Sequence, residues 1–239
     1  QHRVVEIKQN RPAHWQLVCE TPDGAQTLTA EAVVIAIPAP QVVPLLAPKE
    51  FAQSRLAQIK TVQYEPCLTL MLRYAAGTEL PSPYSPDSPS ALSSANKGWM
   101  ITVESEDPLA WMALESSKSR SPQTPLPEMP LVVMQSQASF AELYQETTDL
   151  QTAVPPLLHA ADQVLPNLPS PEQWQIHRWR YAFVKKAFPE AAVTFENPSI
   201  ICCGDWCRAA DMPWQNLDAA YYSGLVAAQV LGGRVMGDG

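Results

Sequence analysis

The sequence predicts an α+β fold, with a mixed or antiparallel sheet and helices in the middle of the chain, strands at its start, and a strand and a long helix at its end. Three observations predict it. Residues 199–233 read as a buried strand, a glycine turn and a helix. Residues 32–37 form a continuous apolar run of the kind a buried parallel strand carries. The stretch between them, from 64 to 183, holds short strand-like segments separated by Pro- and Ser-rich loops.

The elements follow in order. Arg3 to Lys8 is strand-like, Trp15 to Cys19 is a second strand, and Pro22-Asp23-Gly24 turns the chain into a third. Ala32 to Ile37 ends at Pro38 and Pro40, which cannot continue a central ladder. Residues 42–59 have helical spacing through Leu45, Leu46, Leu56 and Ile59, with a break at Pro48. Tyr64 to Arg73 is a strand. The loops at 81–95 and 116–130 flank Trp99 to Val103 and Leu109 to Leu114, two strands of an antiparallel sheet, and Leu131 to Gln135 adds another. Residues 140–165 should be mostly helical, with Pro155 and Pro156 in a first turn or at a break. Trp174 to Phe183 returns to strand, with His177, Trp179 and Tyr181 on one face and Trp174, Ile176, Arg178 and Arg180 on the other.

Composition excludes several functions. The net charge of −8 argues against nucleic acid or an anionic membrane as the main partner. No apolar run reaches the length of a membrane helix, and no signal peptide is visible. The five cysteines are odd in number, three of them crowded at Cys202, Cys203 and Cys207, which is no disulfide framework. A reducing cytoplasm is the simplest setting. Zinc is disfavoured because adjacent strand residues point to opposite faces and no second ligand pair is present. No Ser-His-Asp or Cys-His arrangement can be argued, so no catalytic residue is named.

The terminal unit carries the chemistry. After the apolar run Ser199 to Cys203, Gly204 turns the backbone and Asp205 sits just past the strand's carboxyl end, the edge where open α/β sheets bind ligands. Asn216 is a good N-cap for a helix expected to stop at Gly232-Gly233. Ala220, Gly224, Ala227 and Ala228, with Ala219 and Ser223 beside them, give that helix a small-residue face. A carboxylate at the strand end can accept from sugar or ribityl hydroxyls, and the amides of Leu217, Asp218 and Ala219 can face an anion or an electron-rich ring edge. The same spacing also fits a crossover whose small face only packs on a sheet.

Cys203-Gly204-Asp205-Trp206-Cys207, followed by Leu217-Asp218-Ala219-Ala220-Tyr221-Tyr222-Ser223-Gly224, resembles the carboxyl-terminal flavin motif of FAD-dependent amine oxidases. The likeness is nearest to the renalase-like branch, where C-G-D-W precedes V-E-G-A-x-x-S-G; Asp218 stands here for Glu and Ala219 for Gly. His2-Arg3-Val4, Ala36 to Gln41, Trp111 to Arg120 (with Ser119 in place of a proline) and His177 to Ala182 extend the likeness along most of the chain. The resemblance implies a partial Rossmann-like FAD/NAD(P)-binding domain, 1–50 and 191–239, interleaved with a substrate domain, 51–190. It implies FAD contacts at Gly204, Asp205, Asp218, Ala219, Val4 and Ala36, and a pocket at His177, Trp179 and Tyr181, aromatic residues that equally suit a core. Trp111 and Lys118 are further candidates, and no metal is implied. The implied reaction is hydride transfer from a small molecule, a dihydronicotinamide or an amine, with oxygen reoxidising the flavin.

The family's G-x-G-x-x-G phosphate loop has no counterpart in these residues. The sequence therefore reads as the carboxyl-terminal part of a flavoprotein, expected to hold little FAD and to be inactive alone. The alternative is a non-catalytic remnant that pairs with a protein through an exposed sheet edge.

Overall fold

The computed structural model describes residues 2–11, 14–83, 98–104, 108–118, 129–197, 199–209 and 216–235. The Pro/Ser-rich stretches at 84–97 and 119–128, with Ser119 and Arg120, lie outside them. Two compact units result: Gln1–Tyr64 with Phe183–Gly239, and Glu65–Ala182.

The first unit opens with an antiparallel meander, β1 (Arg3–Arg11), β2 (His14–Thr21) and β3 (Gly24–Ala30). Gly24 takes the turn between β2 and β3 at φ 111°, where a side chain would be strained. Only one side of the meander is apolar, and it buries Ile7, Trp15 and Cys19. The second sheet has the order β10 (Val193–Thr194), β11 (Ile200–Cys202), β4 (Val33–Ile35). β4 and β11 run parallel, with Val33, Val34 and Ile35 opposite Ile200, Ile201 and Cys202. The apolar run at 32–37 is thus a parallel strand, but a shorter and less buried one than expected. β4 is a terminal strand of its sheet, and Val34 is 49% exposed.

Helix α1 (Ala39–Leu46) ends before Pro48, and α2 (Gln53–Ile59) follows a 3₁₀ turn, so the chain breaks where proline removes the amide a continuing helix needs. Both helices supply the core of this unit through Ala39, Val42, Leu46, Leu56 and Ile59. Helix α5 (Asn216–Val235) runs straight through Gly232-Gly233, contrary to the expected stop. Neither glycine adopts a positive φ. A helical glycine costs only about 1 kcal/mol against alanine, which an already formed helix tolerates. The buried stripe of α5 is Ala219, Ser223 and Ala227, spaced by four, while Ala228 faces out.

The second unit is a five-stranded antiparallel sheet, β6 (Met100–Thr102), β7 (Leu109–Leu114), β8 (Leu131–Ser136), β5 (Gln63–Arg73) and β9 (Gln173–Lys186), in that spatial order. Helix α4 (Val154–Val164) covers one face, and Pro155 and Pro156 occupy its first turn, where a missing amide leaves no bond unmade. A short α3 (Ala138–Glu142) and a 3₁₀ turn at Leu150–Ala153 precede it. Residues 143–149 are not helical, so the region 140–165 is less continuous than its periodicity suggested. Leu70, Leu72, Met112, Val132 and Met134 meet Val154, Leu157 and Ala161 in this core. Leu157 has no exposed surface, so Leu157→Ala should cost about 2–5 kcal/mol in urea denaturation.

Candidate functional site

Parallel pairing brings the carboxyl ends of β4 and β11 side by side. The Cys203 amide donates to the Ile35 carbonyl at 3.1 Å, and the Trp206 indole N–H donates to the Ile37 carbonyl at 3.0 Å. Between those bonds the chain turns through Gly204 at φ 145°. A Cβ there would lie 3.0 Å from Cδ1 and Nε1 of Trp206, so backbone conformation and ring both demand glycine. The Gly204 amide donates to the fully buried Ser223 hydroxyl at 3.0 Å, tying the turn to α5. Gly204, Asp205 and Ala36 are therefore gathered at one sheet edge.

Asp205 is half-buried there. Burial pushes its carboxyl above the usual carboxylate range, against hydrogen bonds from the backbone amides of Trp206 and Asp205 and the charge of Arg208. A carboxylate in this state gains from any further hydroxyl donor that reaches it. Burial likewise raises the thiols of Cys202, Cys203 and Cys207, which keeps them protonated and poor nucleophiles.

The helix start is a less complete match. Asn216 begins α5 at φ 54°, a left-handed conformation that asparagine tolerates. Asp218 is exposed, whereas Ala219 is 1% exposed and directs its methyl inward. Gly224 has open space where a Cβ would stand, so no close approach among the described residues explains it. Val4 lies elsewhere, in the meander, opposite Cys19.

In the second unit, strand register assembles what the sequence left scattered. Thr69 stands opposite Gln135, and Gln135 opposite Trp111. Directly paired residues share a face, the one turned away from α4. The Trp179 indole donates to the Thr69 hydroxyl at 3.0 Å, which puts Trp179 on that face, and period two adds His177 and Tyr181. His177 and Trp179 meet edge to face at 4.4 Å, and the Lys118 ammonium lies 5.6 Å from the Trp111 ring centre. Lys118 also pairs with Glu115. Trp179 is 53% exposed, so it is not a core residue. Thr69 and Gln135 were missed in the sequence; their alternation within β5 and β8 was the available signal.

No protein-family model matches the chain, and no curated protein matches it. Solved structures do match. One is a protein described as a protoporphyrinogen oxidase from Exiguobacterium sp. 255-15, at 15% identity and a TM-score of 0.59 over 97% of this chain and 47% of that one. Another is cyclohexylamine oxidase from Brevibacterium oxydans IH-35A, at 12% identity and 0.59 over 98% and 48%. A third is putrescine oxidase bound to putrescine, at 12% and 0.61 over 97% and 48%. The chain shares its fold with part of these oxidases. It spans about half the length of these structures.

Among the described residues, no helix is long and apolar enough to cross a membrane. Nor does any group of three or more His, Cys, Asp or Glu residues come close enough to hold a metal ion.

Proposed function

We propose that this chain works as part of a flavin-dependent oxidoreductase of the renalase-like kind, its carboxyl-terminal part by the order of its motifs. The observation that carries this reading is the Gly204–Asp205 turn, set at the carboxyl ends of two parallel strands and bonded to α5 through Ser223. The residues fit one end of FAD. Asp205 would accept from a ribityl hydroxyl, and the first amides of α5, at Asp218 and Ala219, would face the electron-rich edge of the ring. Ala36 flanks them, and Val4 would meet the adenine end. The phosphate end finds no glycine-rich strand-to-helix turn among the described residues, so binding by this chain alone should be weak and activity absent.

When bound, FAD supplies the hydride acceptor, with oxygen as the final oxidant. The chain's own part is to hold and orient. Trp179, His177, Tyr181 and Trp111 offer ring faces to a planar small molecule, a dihydronicotinamide by the renalase likeness or an amine by the broader one. In the enzyme completed by its amino-terminal unit, Trp179→Ala should raise KM for such a substrate, and in this chain it should change stability by less than about 1 kcal/mol, because the ring is half exposed. Five unpaired, buried thiols suit a cytoplasmic setting.

The test is FAD titration followed by flavin absorbance, on the chain alone and with the amino-terminal glycine-rich unit of a renalase-like protein added. Colour gained only with the added unit supports the reading, and Asp205→Ala should then reduce it. No binding in either case would favour a non-catalytic module that pairs through a sheet edge. The terminal position of β4, with Val34 half exposed, suits that second role.

A further inference from the structure

The Gly204–Asp205 turn is held from a direction that its own motif does not reveal. Arg55 on α2 makes a two-pronged contact with Glu190, Nη1 to Oε1 at 2.7 Å and Nη2 to Oε2 at 2.8 Å, while its Nε donates to the Thr194 carbonyl at 3.2 Å. The same guanidinium sits 5.6 Å from the centre of the Phe188 ring. Three separate contacts thus fix the 188–194 segment against one planar group, which a single-point lysine could not reproduce.

Phe188 passes that constraint on. Its ring meets Trp206 edge to face at 6.2 Å, and both rings are buried. Its amide donates to the Trp206 carbonyl at 2.7 Å, and its carbonyl accepts from the Arg208 amide at 3.0 Å, closing a two-bond bridge across the turn. Trp206 in turn fills the space where a Gly204 side chain would stand and holds the Ile37 carbonyl. The position of Asp205, one residue from both, depends on where that indole sits.

We propose that Arg55 is a positioning residue for the Asp205 turn, acting through Glu190, Phe188 and Trp206. The assignment rests on the proposed flavin site for its functional meaning, but its geometry stands without flavin. Arg55 lies 150 residues from Asp205 and belongs to no motif. Its placement is a tertiary event.

The test uses the ¹⁵N-labelled chain. The Trp206 indole N–H and the Gly204 amide are followed by NMR, with Trp206→Phe assigning the indole signal. Arg55→Ala should shift both signals and speed exchange of the indole proton about tenfold, as loss of one ordered hydrogen bond would. Arg55→Lys should give a smaller change in the same direction. Arg3→Ala, which removes the exposed pair with Glu20, should leave both signals in place. If Arg55→Ala lowers the melting temperature but leaves the indole and Gly204 signals unmoved, Arg55 is merely structural and the proposal falls. Should Arg55→Ala fail to fold, Glu190→Gln provides the same reading, and unmoved signals there would likewise overturn it. FAD titration is a separate arm. Absence of flavin binding in the wild-type chain, with or without the added unit, would sink the functional reading and leave the positioning role to be decided by the spectra.

Discussion

Replacing Gly204 by alanine should destabilise the chain by roughly 3 kcal/mol, the sum of a glycine-only backbone conformation and an overpacked contact. At φ 145° an L side chain is strained whatever surrounds it, and here the methyl would also meet the Trp206 ring at 3.0 Å. That ring cannot easily retreat, because its indole N–H holds the Ile37 carbonyl and it packs edge to face with Phe188. Gly224→Ala provides the contrast. Among the described residues nothing beyond its own helix backbone and chain neighbours lies within 4 Å of its Cβ position and its φ is ordinary, so alanine there should stabilise α5 by up to about 1 kcal/mol. Urea denaturation of the two variants decides the matter. Equal effects would mean that the turn is not constrained as described. A Gly224→Ala variant that folds well but loses flavin would show instead that this glycine makes room for the cofactor.

Asp205→Asn should make the chain more stable at neutral pH and a poorer flavin binder. Burial raises the Asp205 carboxyl above its ordinary value, so the folded chain holds this proton more tightly than the unfolded one. Stability from this group is therefore complete at pH values below the unfolded carboxylate value, and it is lost as pH rises through the raised folded value. Asparagine removes that slope. The variant should gain on the wild type as pH rises to neutrality and match it in acid, as denaturation midpoints across the range would report. Flavin affinity should fall by tenfold or more, since a hydrogen bond to a charged group contributes about 1.5–3 kcal/mol. Greater stability together with weaker binding is the signature of a group kept for function. A variant less stable at neutral pH would show that the amides of Trp206 and Asp205 and the charge of Arg208 outweigh burial.

Much of the fold was legible because its signals are local. Apolar strand-like runs marked β5, β7 and β8, alternation marked β9, proline ended α1 and opened the first turn of α4, and an apolar run with a glycine turn marked β11 and the Gly204–Asp205 pair. The misreadings arose where local signals are weak. Gly232-Gly233 looked like a stop, yet a glycine lowers helix stability without forbidding it. Ala32 to Ile37 looked fully buried, yet burial depends on what lies beside a strand, and β4 stands at the end of its sheet.

The sequence by itself determined the element types, the glycine that must turn at 204 and the carboxylate that follows it, because conformation and residue chemistry act over a few residues. It also placed His177, Trp179 and Tyr181 on one side of a strand, through the period of two. Only the tertiary structure decided that Trp111 and Thr69 share their face, since cross-strand register is set by the whole sheet. Only it tied the Asp205 turn to Ser223 and Ile37 and set Arg55 against Glu190 and Phe188 behind that turn. Those contacts span separations of up to 169 residues, and no local rule carries information across such a distance; packing does.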